Sequence, residues 1–488
     1  MSVFCLKGRE KEISFNVISS VIYILPLLFA SLFYRDDLGR AIWGGGWDHD
    51  GRYITTWIME ALSTGKPITD IFPYGTIASA IFFGISGLII TNILGIEKSS
   101  TYKISSLYVV TYPFIIENLA YRYDALSMGL SFLACCIPFL MRERSYTFIF
   151  ASVACIYFSL LTYQSSLFVY ILICMALCAK SIIDENKVPF KHIIECIISV
   201  VLAMLLAKIT WHLKDANFHG RDALFVSAQN PVQTLEVNFR SFYDLLTRVY
   251  GHSYLKLIFP IILSAVCFII FGAINFICNK QYKRLSSAIL LVPIFGLMVL
   301  LSPGLNLFLA KPFWTARTMM CLVVIFYLMT MLADRLLSRH HNIKKIIFSL
   351  PFIYSFALMS AFCQSQQSNN NFYDKVESIV YQYTSVIDKA SVVIVGKPEL
   401  PTQTKALFDK FPILTALSPL YYNGQWVWGP VFMMKSGIAT DTTVKYGDKW
   451  NSIISKGCSY NVVYRNSLMK LYQQDKQFIL SFDKNYCG

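Results

Sequence analysis

The sequence predicts a polytopic α-helical membrane protein with a small α/β domain towards its C-terminus, and three observations lead there. Apolar residues make up 55% of the 488 and charged ones 15%, too little charge to solvate a globular chain of that length. Apolar stretches able to cross roughly 30 Å of hydrocarbon recur through the first three quarters of the chain. After about Gln364 the sequence turns mixed and polar, with one strand-like run, SVVIVG (Ser391 to Gly396).

About eleven spans follow from that reading. They lie near 13–34, 74–93, 104–117, 127–141, 146–162, 166–180, 192–211, 257–277, 286–302, 318–334 and 346–363. The third to sixth are short, which predicts tilted, broken or re-entrant segments. The first has no small-x-small exit and reads as a retained anchor rather than a cleaved leader. Lys and Arg gather in alternate turns: Lys7, Arg9 and Lys11; Lys98 and Lys103; Arg142 and Arg144; Lys180, Lys187 and Lys191; Lys280, Lys283 and Arg284; Arg335, Arg339, Lys344 and Lys345. By the positive-inside rule these turns and the N-terminus face the cytoplasm of a bacterial inner membrane. That orientation accounts for most of the net charge of +14 without invoking nucleic acid. An odd span count sends the C-terminus to the periplasm. The expected division is 1–363, a membrane domain with outer loops at 35–73, 118–126, 163–165, 212–256 and 303–317, and 364–488, a periplasmic domain.

Of the thirteen cysteines, ten lie in or beside apolar helices and Cys5 lies on the cytoplasmic side, as small buried hydrophobes do. Only Cys458 and Cys487 fall in the outer tail, and an even pair in an oxidising compartment predicts one disulfide. No Cys-x-x-Cys or clustered Cys/His spacing points to zinc.

The outer loops carry the chemistry. Tyr34 to Trp57, YRDDLGRAIWGGGWDHDGRYITTW, sets four aspartates, three arginines, a histidine and three tryptophans just past the first span. Asp48 and Asp50 have the D-x-D form of a divalent-metal site, a short signature; a calcium-loop register fails because Trp57 stands where the bidentate Glu belongs. A solvated loop with Trp43 and Trp47 in the headgroup belt is the bland alternative. Asp36 and Asp37 sit two or three residues beyond the span, at the membrane surface. A carboxylate there meets both a lipid-borne donor and an acceptor arriving from water, the position at which a membrane glycosyltransferase of C-type architecture holds its general base. Arg35, Arg40 and Arg52 suit a leaving phosphate.

Three further polar breaks accompany this one. Pro113 to Ala125, PFIIENLAYRYDA, places Glu117, Tyr121, Arg122, Tyr123 and Asp124 between apolar runs, where ionisable groups are costly unless used or paired. An Arg122–Asp124 ion pair within the turn is the structural alternative. Tyr163 and Gln164 in LTYQSS suit sugar hydroxyls, as does Trp47 in stacking. Lys311 and Arg317 in LAKPFWTART suit phosphate, with snorkelling at a helix end as the alternative. A divalent cation on Asp48 and Asp50 is the alternative to neutralising phosphate with Arg and Lys alone. In the tail, Tyr421 to Pro430 (YYNGQWVWGP) reads either as an aromatic platform for sugar or as a hydrophobic core strand.

The ordered set DDLGR after the first span, W..DGR about ten residues on, PFIIENLAYRYD after the third and YQSS after the fifth resembles the serotype-converting O-antigen glucosyltransferases of the Gtr type II family, found in bacteria and their temperate phages. The likeness runs through the membrane part and thins in the tail. It implies transfer of glucose from undecaprenyl phosphate glucose to a sugar of the lipopolysaccharide O-antigen on the periplasmic face, with Asp36 and Asp37 as the base candidates and no nucleotide donor. Its partners would be that lipid donor, the O-antigen and the bilayer. A flippase for lipid-linked oligosaccharide or an O-antigen polymerase shares the many helices and basic loops. A flippase needs polar groups along a path through the helices, whereas here they gather at the outer ends.

Overall fold

The computed structural model describes residues 9–97, 99–218, 223–251, 253–281, 285, 289–424, 426–438 and 448–487. Cys5, Lys7, Lys98, Lys283, Arg284 and Gln425 lie outside the described residues. The chain forms two compact units: Met1–Phe29, Gly46–Thr64 and Ile71–Met359 make one, and Ala30–Gly45, Gly65–Asp70 and Ser360–Gly488 make the other.

The first unit is helical. Among the described residues, seven helices are long and apolar enough to cross a membrane: Glu10–Ala30, Tyr74–Ile93, Gln164–Glu185, Phe190–Leu213, Ser253–Cys278, Ala316–Leu336 and His341–Thr384, the last continuing into the second unit. Ala125–Met141, Ser145–Leu160 and Leu291–Leu301 are shorter apolar helices. Each of these ten overlaps a span read from the sequence. The remaining stretch, 104–117, is no single helix but four short turns: Tyr102–Ser105, Tyr108–Thr111, Pro113–Ile115 and Ile116–Ala120. Pro113 is the cause, because its ring disfavours a helical residue before it and Tyr112 is accordingly extended (φ −67°, ψ 133°). Broken backbone of this kind is tolerated in an apolar layer only inside protein. Residues 108–121 are buried throughout.

Small residues let these helices touch. A Cβ on Gly87 would fall 2.0 Å from the Ser106 carbonyl oxygen, and one on Gly129 would fall 2.6 Å from the Ser79 hydroxyl. At the basic ends, buried Lys344 pairs with Asp334 at 2.9 Å and donates to the Ser99 hydroxyl at 2.8 Å. That triad ties the connection at Ser99 to the two last helices of the unit.

The second unit is built on a four-stranded sheet: β1 (Ser391–Val395), β2 (Asn461–Arg465), β3 (Lys470–Gln474) and β4 (Gln477–Ser481), in the order β1-β4-β3-β2. β1 runs parallel to β4, and the other pairs are antiparallel. A two-residue connection with Asp475 in the left-handed region (φ 50°) closes the β3–β4 hairpin. Because side chains alternate along a strand, the sheet has two apolar faces. Val392, Ile394, Leu471, Phe478 and Leu480 join the main core, with Tyr373, Val376 and Tyr421. Val395, Tyr472 and Ile479 form a smaller cluster with Trp450, Ile453 and Cys487. Cys487 is joined to Cys458 in a disulfide with Cα atoms 5.1 Å apart.

Residues 30–45 belong to this unit, although they follow the first span in sequence. Leu38 is fully buried in the main core, with Phe33 and Ile42 packed against it.

Candidate active site

The loop after the first span folds as a short helix, Asp36–Trp43. Two acids open it, where the positive end of the helix dipole favours carboxylates. Asp37 is fully buried, and its carboxylate accepts the Tyr34 backbone N–H at 3.1 Å, closing the turn that starts the helix. Asp36 is half-buried and has no hydrogen bond or ion pair among the described residues. The helix ends at Gly44, left-handed at φ 58°, whose N–H donates to the Arg40 carbonyl at 2.8 Å. A Cβ there would lie 2.3 Å from the Pro67 Cβ, so the stop requires glycine. The Arg40 guanidinium donates to the Gly45 carbonyl at 3.1 Å.

Arg35, just before the helix, has φ 46°, a conformation costly for a side chain of its size and held only where surroundings fix it. Its backbone N–H donates to the Tyr421 hydroxyl at 2.9 Å, and its guanidinium donates to the Ala416 carbonyl while lying 5.1 Å from the Tyr34 ring centre. The Tyr421 N–H in turn donates to the Tyr373 hydroxyl at 2.7 Å. Burial lifts the Tyr421 phenol above its ordinary pKa; Arg35 opposes the rise and the negative fields of Asp37 and Asp36 add to it. Tyr421 therefore stays a neutral hydroxyl.

A second cluster lies in the helical unit, where four distant polar breaks meet. Arg52 is buried, and each part of its fork is engaged. Nε donates to the Thr162 carbonyl, Nη1 pairs with Asp124 at 2.7 Å and Nη2 reaches the Ser127 hydroxyl at 3.3 Å. Its planar group lies 5.7 Å from the Trp47 ring and 5.4 Å from the Tyr163 ring. The Trp47 indole N–H donates to the same Asp124 oxygen at 2.9 Å. Glu117, fully buried, accepts the Arg317 backbone N–H at 2.8 Å. The half-buried Arg317 guanidinium stands 4.6 Å from the Tyr121 ring centre and 5.5 Å from that of Phe313. Arg122 lies 4.2 Å from the Phe72 ring centre, and the Gln164 amide donates to the Asp50 carbonyl at 2.9 Å. Burial raises the Tyr163 phenol above its ordinary pKa, with Arg317 opposing and Glu117 adding to the rise. Such a partly desolvated cation, propped on aromatic faces, is suited to a phosphate oxygen.

Several expectations change. Trp47 is not in a headgroup belt: it is 1% exposed and bonded to Asp124, whereas Trp43 at 56% and Trp57 at 76% are exposed. The partner established for Asp124 is Arg52, 72 residues away, because the helix of Ala125–Cys136 opens with Asp124 turned towards the 47–53 segment. Tyr421 and Tyr422 are core residues rather than a platform, and the described residues of the stretch form turns and the start of the helix Trp428–Lys435 rather than a strand. Lys311 is exposed. Asp48 is exposed and Asp50 half-buried, both in a short 3₁₀ turn. No group of three or more His, Cys, Asp or Glu gathers among the described residues. Ser127 carried no motif, and Thr162 and Tyr421 lay in the LTYQSS and YYNGQWVWGP stretches without these roles; each enters through a partner far along the chain.

A family model described as Glucosyl transferase GtrII matches residues 25–362. A relative from Salmonella phage P22, "Uncharacterized 55.3 kDa protein in gtrB 5'region", is 23% identical over 455 residues, covering 88% of this chain and 92% of its own. No solved structure matches. The matched span takes in the DDLGR helix and all four polar breaks, and it covers most of the sequence: the chain belongs to the GtrII glucosyl transferase family.

Proposed function

We propose that this glucosyl transferase moves glucose from undecaprenyl phosphate glucose to a sugar of the O-antigen at the periplasmic face of the bacterial inner membrane, as in serotype conversion. The broken segment at 104–117 counts as a crossing in this reading, giving eleven spans, a cytoplasmic N-terminus and a periplasmic unit at the C-terminus. The GtrII family match and a Salmonella phage relative encoded in a gtrB 5' region support the glucosyl transfer in this reading.

One observation carries the chemistry: of two adjacent acids at the head of a helix, one is consumed by the fold and the other is not. Asp37 holds the Tyr34 N–H, whereas Asp36 is half-buried without a partner among the described residues. Asp36 is therefore the general base. It takes the proton from an acceptor hydroxyl as that oxygen bonds to the anomeric carbon; the bond from that carbon to the phosphate oxygen breaks, and its electron pair leaves with undecaprenyl phosphate. Arg35 and Arg40, in the same unit as Asp36, are candidate cations for the departing phosphate; Arg317, Arg122 and Lys311 are the candidates of the helical unit, with Arg317 foremost among these because it is partly desolvated. Arg52, with its fork engaged by Thr162, Asp124 and Ser127, holds three of the four breaks together, and Glu117 joins the fourth through the Arg317 N–H. Glu117, Tyr121, Tyr163 and Gln164 are left to line the sugar. Phosphate neutralised by Arg and Lys requires no metal in this scheme.

Purified protein assayed with polyprenyl phosphate glucose and defined O-antigen, with and without EDTA, tests the reading. Asp36→Asn should lower turnover by roughly 10²- to 10⁴-fold with donor affinity kept. Near-normal turnover in Asp36→Asn would remove the base, and loss of all turnover on EDTA treatment would return Asp48 and Asp50 to the scheme.

A further inference from the structure

The segment carrying the acids is built into the C-terminal unit rather than merely following the first span. Its entry is fixed by a bond spanning 386 residues, from the Arg35 N–H to the Tyr421 hydroxyl, and by a second from the Arg35 guanidinium to the Ala416 carbonyl. Leu38, two residues past Asp36, fills the core beside Tyr373, Val376 and Val431. Trp428 packs over the same helix, with its ring 3.7 Å from where a Gly39 Cβ would stand, and the Lys435 ammonium lies 4.4 Å from the Phe33 ring centre. A residue at φ 46° relaxes unless its surroundings hold it, and the Tyr421 hydroxyl holds the backbone N–H of that residue. One residue on, Asp36 inherits the direction this turn imposes.

We propose that Tyr421 is a positioning residue for glucosyl transfer: its hydroxyl fixes the left-handed turn at Arg35 and thereby aims the Asp36 carboxylate. This rests on Asp36 being the base. It makes the C-terminal unit part of the catalytic apparatus, since the side chain that orients the base is contributed from the far end of the chain.

Tyr422 supplies a matched control. It is buried in the same core, and its hydroxyl donates to Glu377 at 2.7 Å. Tyr421→Phe and Tyr422→Phe therefore each delete one buried hydroxyl from one core, but only the first touches the turn. The full chain in detergent is read in two ways: hydrogen–deuterium exchange of the peptide covering residues 34–43, and turnover per folded molecule with polyprenyl phosphate glucose and O-antigen.

Tyr421→Phe should speed exchange in 34–43 by about 10-fold or more and lower kcat by roughly 10- to 100-fold with KM nearly unchanged. Tyr422→Phe should do neither. Equal effects of the two substitutions, or unaltered exchange in 34–43 with Tyr421→Phe, overturn the proposal. If Asp36→Asn retains wild-type turnover, the base assignment falls, and the exchange result alone then decides whether Tyr421 fixes the turn. Should Tyr421→Phe not accumulate as folded protein, Trp428→Phe loosens the same helix from its other side and is held to the same two outcomes.

Discussion

Replacing either member of the Arg52–Asp124 pair should destabilise the helical unit far more than a surface ion pair would. The side chains are 9% and 2% exposed and approach to 2.7 Å. At that distance, with an effective dielectric constant of about 20, the gross attraction is ~6 kcal/mol, most of it offset by desolvation of the two charges. Removing one partner leaves the other charge buried, which costs ~3–5 kcal/mol. In Arg52→Met the Thr162 carbonyl keeps a donor, the Thr55 hydroxyl at 3.0 Å, so the cost falls on Asp124. In Asp124→Leu the Trp47 indole N–H also loses its acceptor, which adds ~1–3 kcal/mol. Unfolding in mixed micelles should rank Asp124→Leu as the worse single change. The double variant Arg52→Met/Asp124→Leu should be more stable than the sum of its parts by at least ~1 kcal/mol, because no charge is then stranded. Additive losses, or a cost below ~1 kcal/mol for either single change, would mean that neither charge depends on the other for its burial.

Other expectations follow from the same geometry. Glu117→Gln keeps the shape that receives the Arg317 N–H but removes a buried negative charge beside that cation, and kinetics should show lower turnover with folding retained. Cys458→Ser opens a disulfide of sequence separation 29 and should cost about 3–4 kcal/mol, measured as a lower midpoint for the C-terminal unit that reductant reproduces in the parent protein. Gly44→Ala meets a left-handed backbone and the Pro67 ring, so thermal unfolding should show a loss of at least ~1–2 kcal/mol. Lys344→Met leaves Asp334 with the Ser99 and Thr101 hydroxyls but no cation and should lower stability by about 1–3 kcal/mol, with Asp334→Leu added to it restoring part of the loss.

What the sequence conveyed was local. Composition and span length located the ten apolar helices because hydrocarbon demands long apolar stretches whatever their neighbours are. The break around Pro113 was legible too, since short length and a proline both act within a turn or two. Burial of Trp47 was not: its neighbours, three glycines and DHD, are those of a solvated loop, whereas Asp124, 77 residues on, accepts its indole N–H in the interior. The allegiance of residues 30–45 was less accessible still. The apolar positions Phe33, Leu38 and Ile42 mark a helix face that must be covered, but the cover is made by Tyr373, Val431 and their neighbours, which no periodicity connects to them. The aromatic run at Tyr421 misled for the same reason, since a ring's function depends on what it packs against.

The strand order carries a consequence for timing. β4, residues 477–481, follows the other three described strands in sequence, yet it lies between β1 and β3, and the main core that receives Leu38 is incomplete until it is inserted. At about 5–20 residues per second, roughly 20–90 s of synthesis separate residue 45 from residue 481. Through that interval the acidic helix has been made but has no bed. A copy truncated before residue 477 thus holds Asp36 and Asp37 without the core that seats their helix, and the proposed base acquires its direction only once β4 is in place.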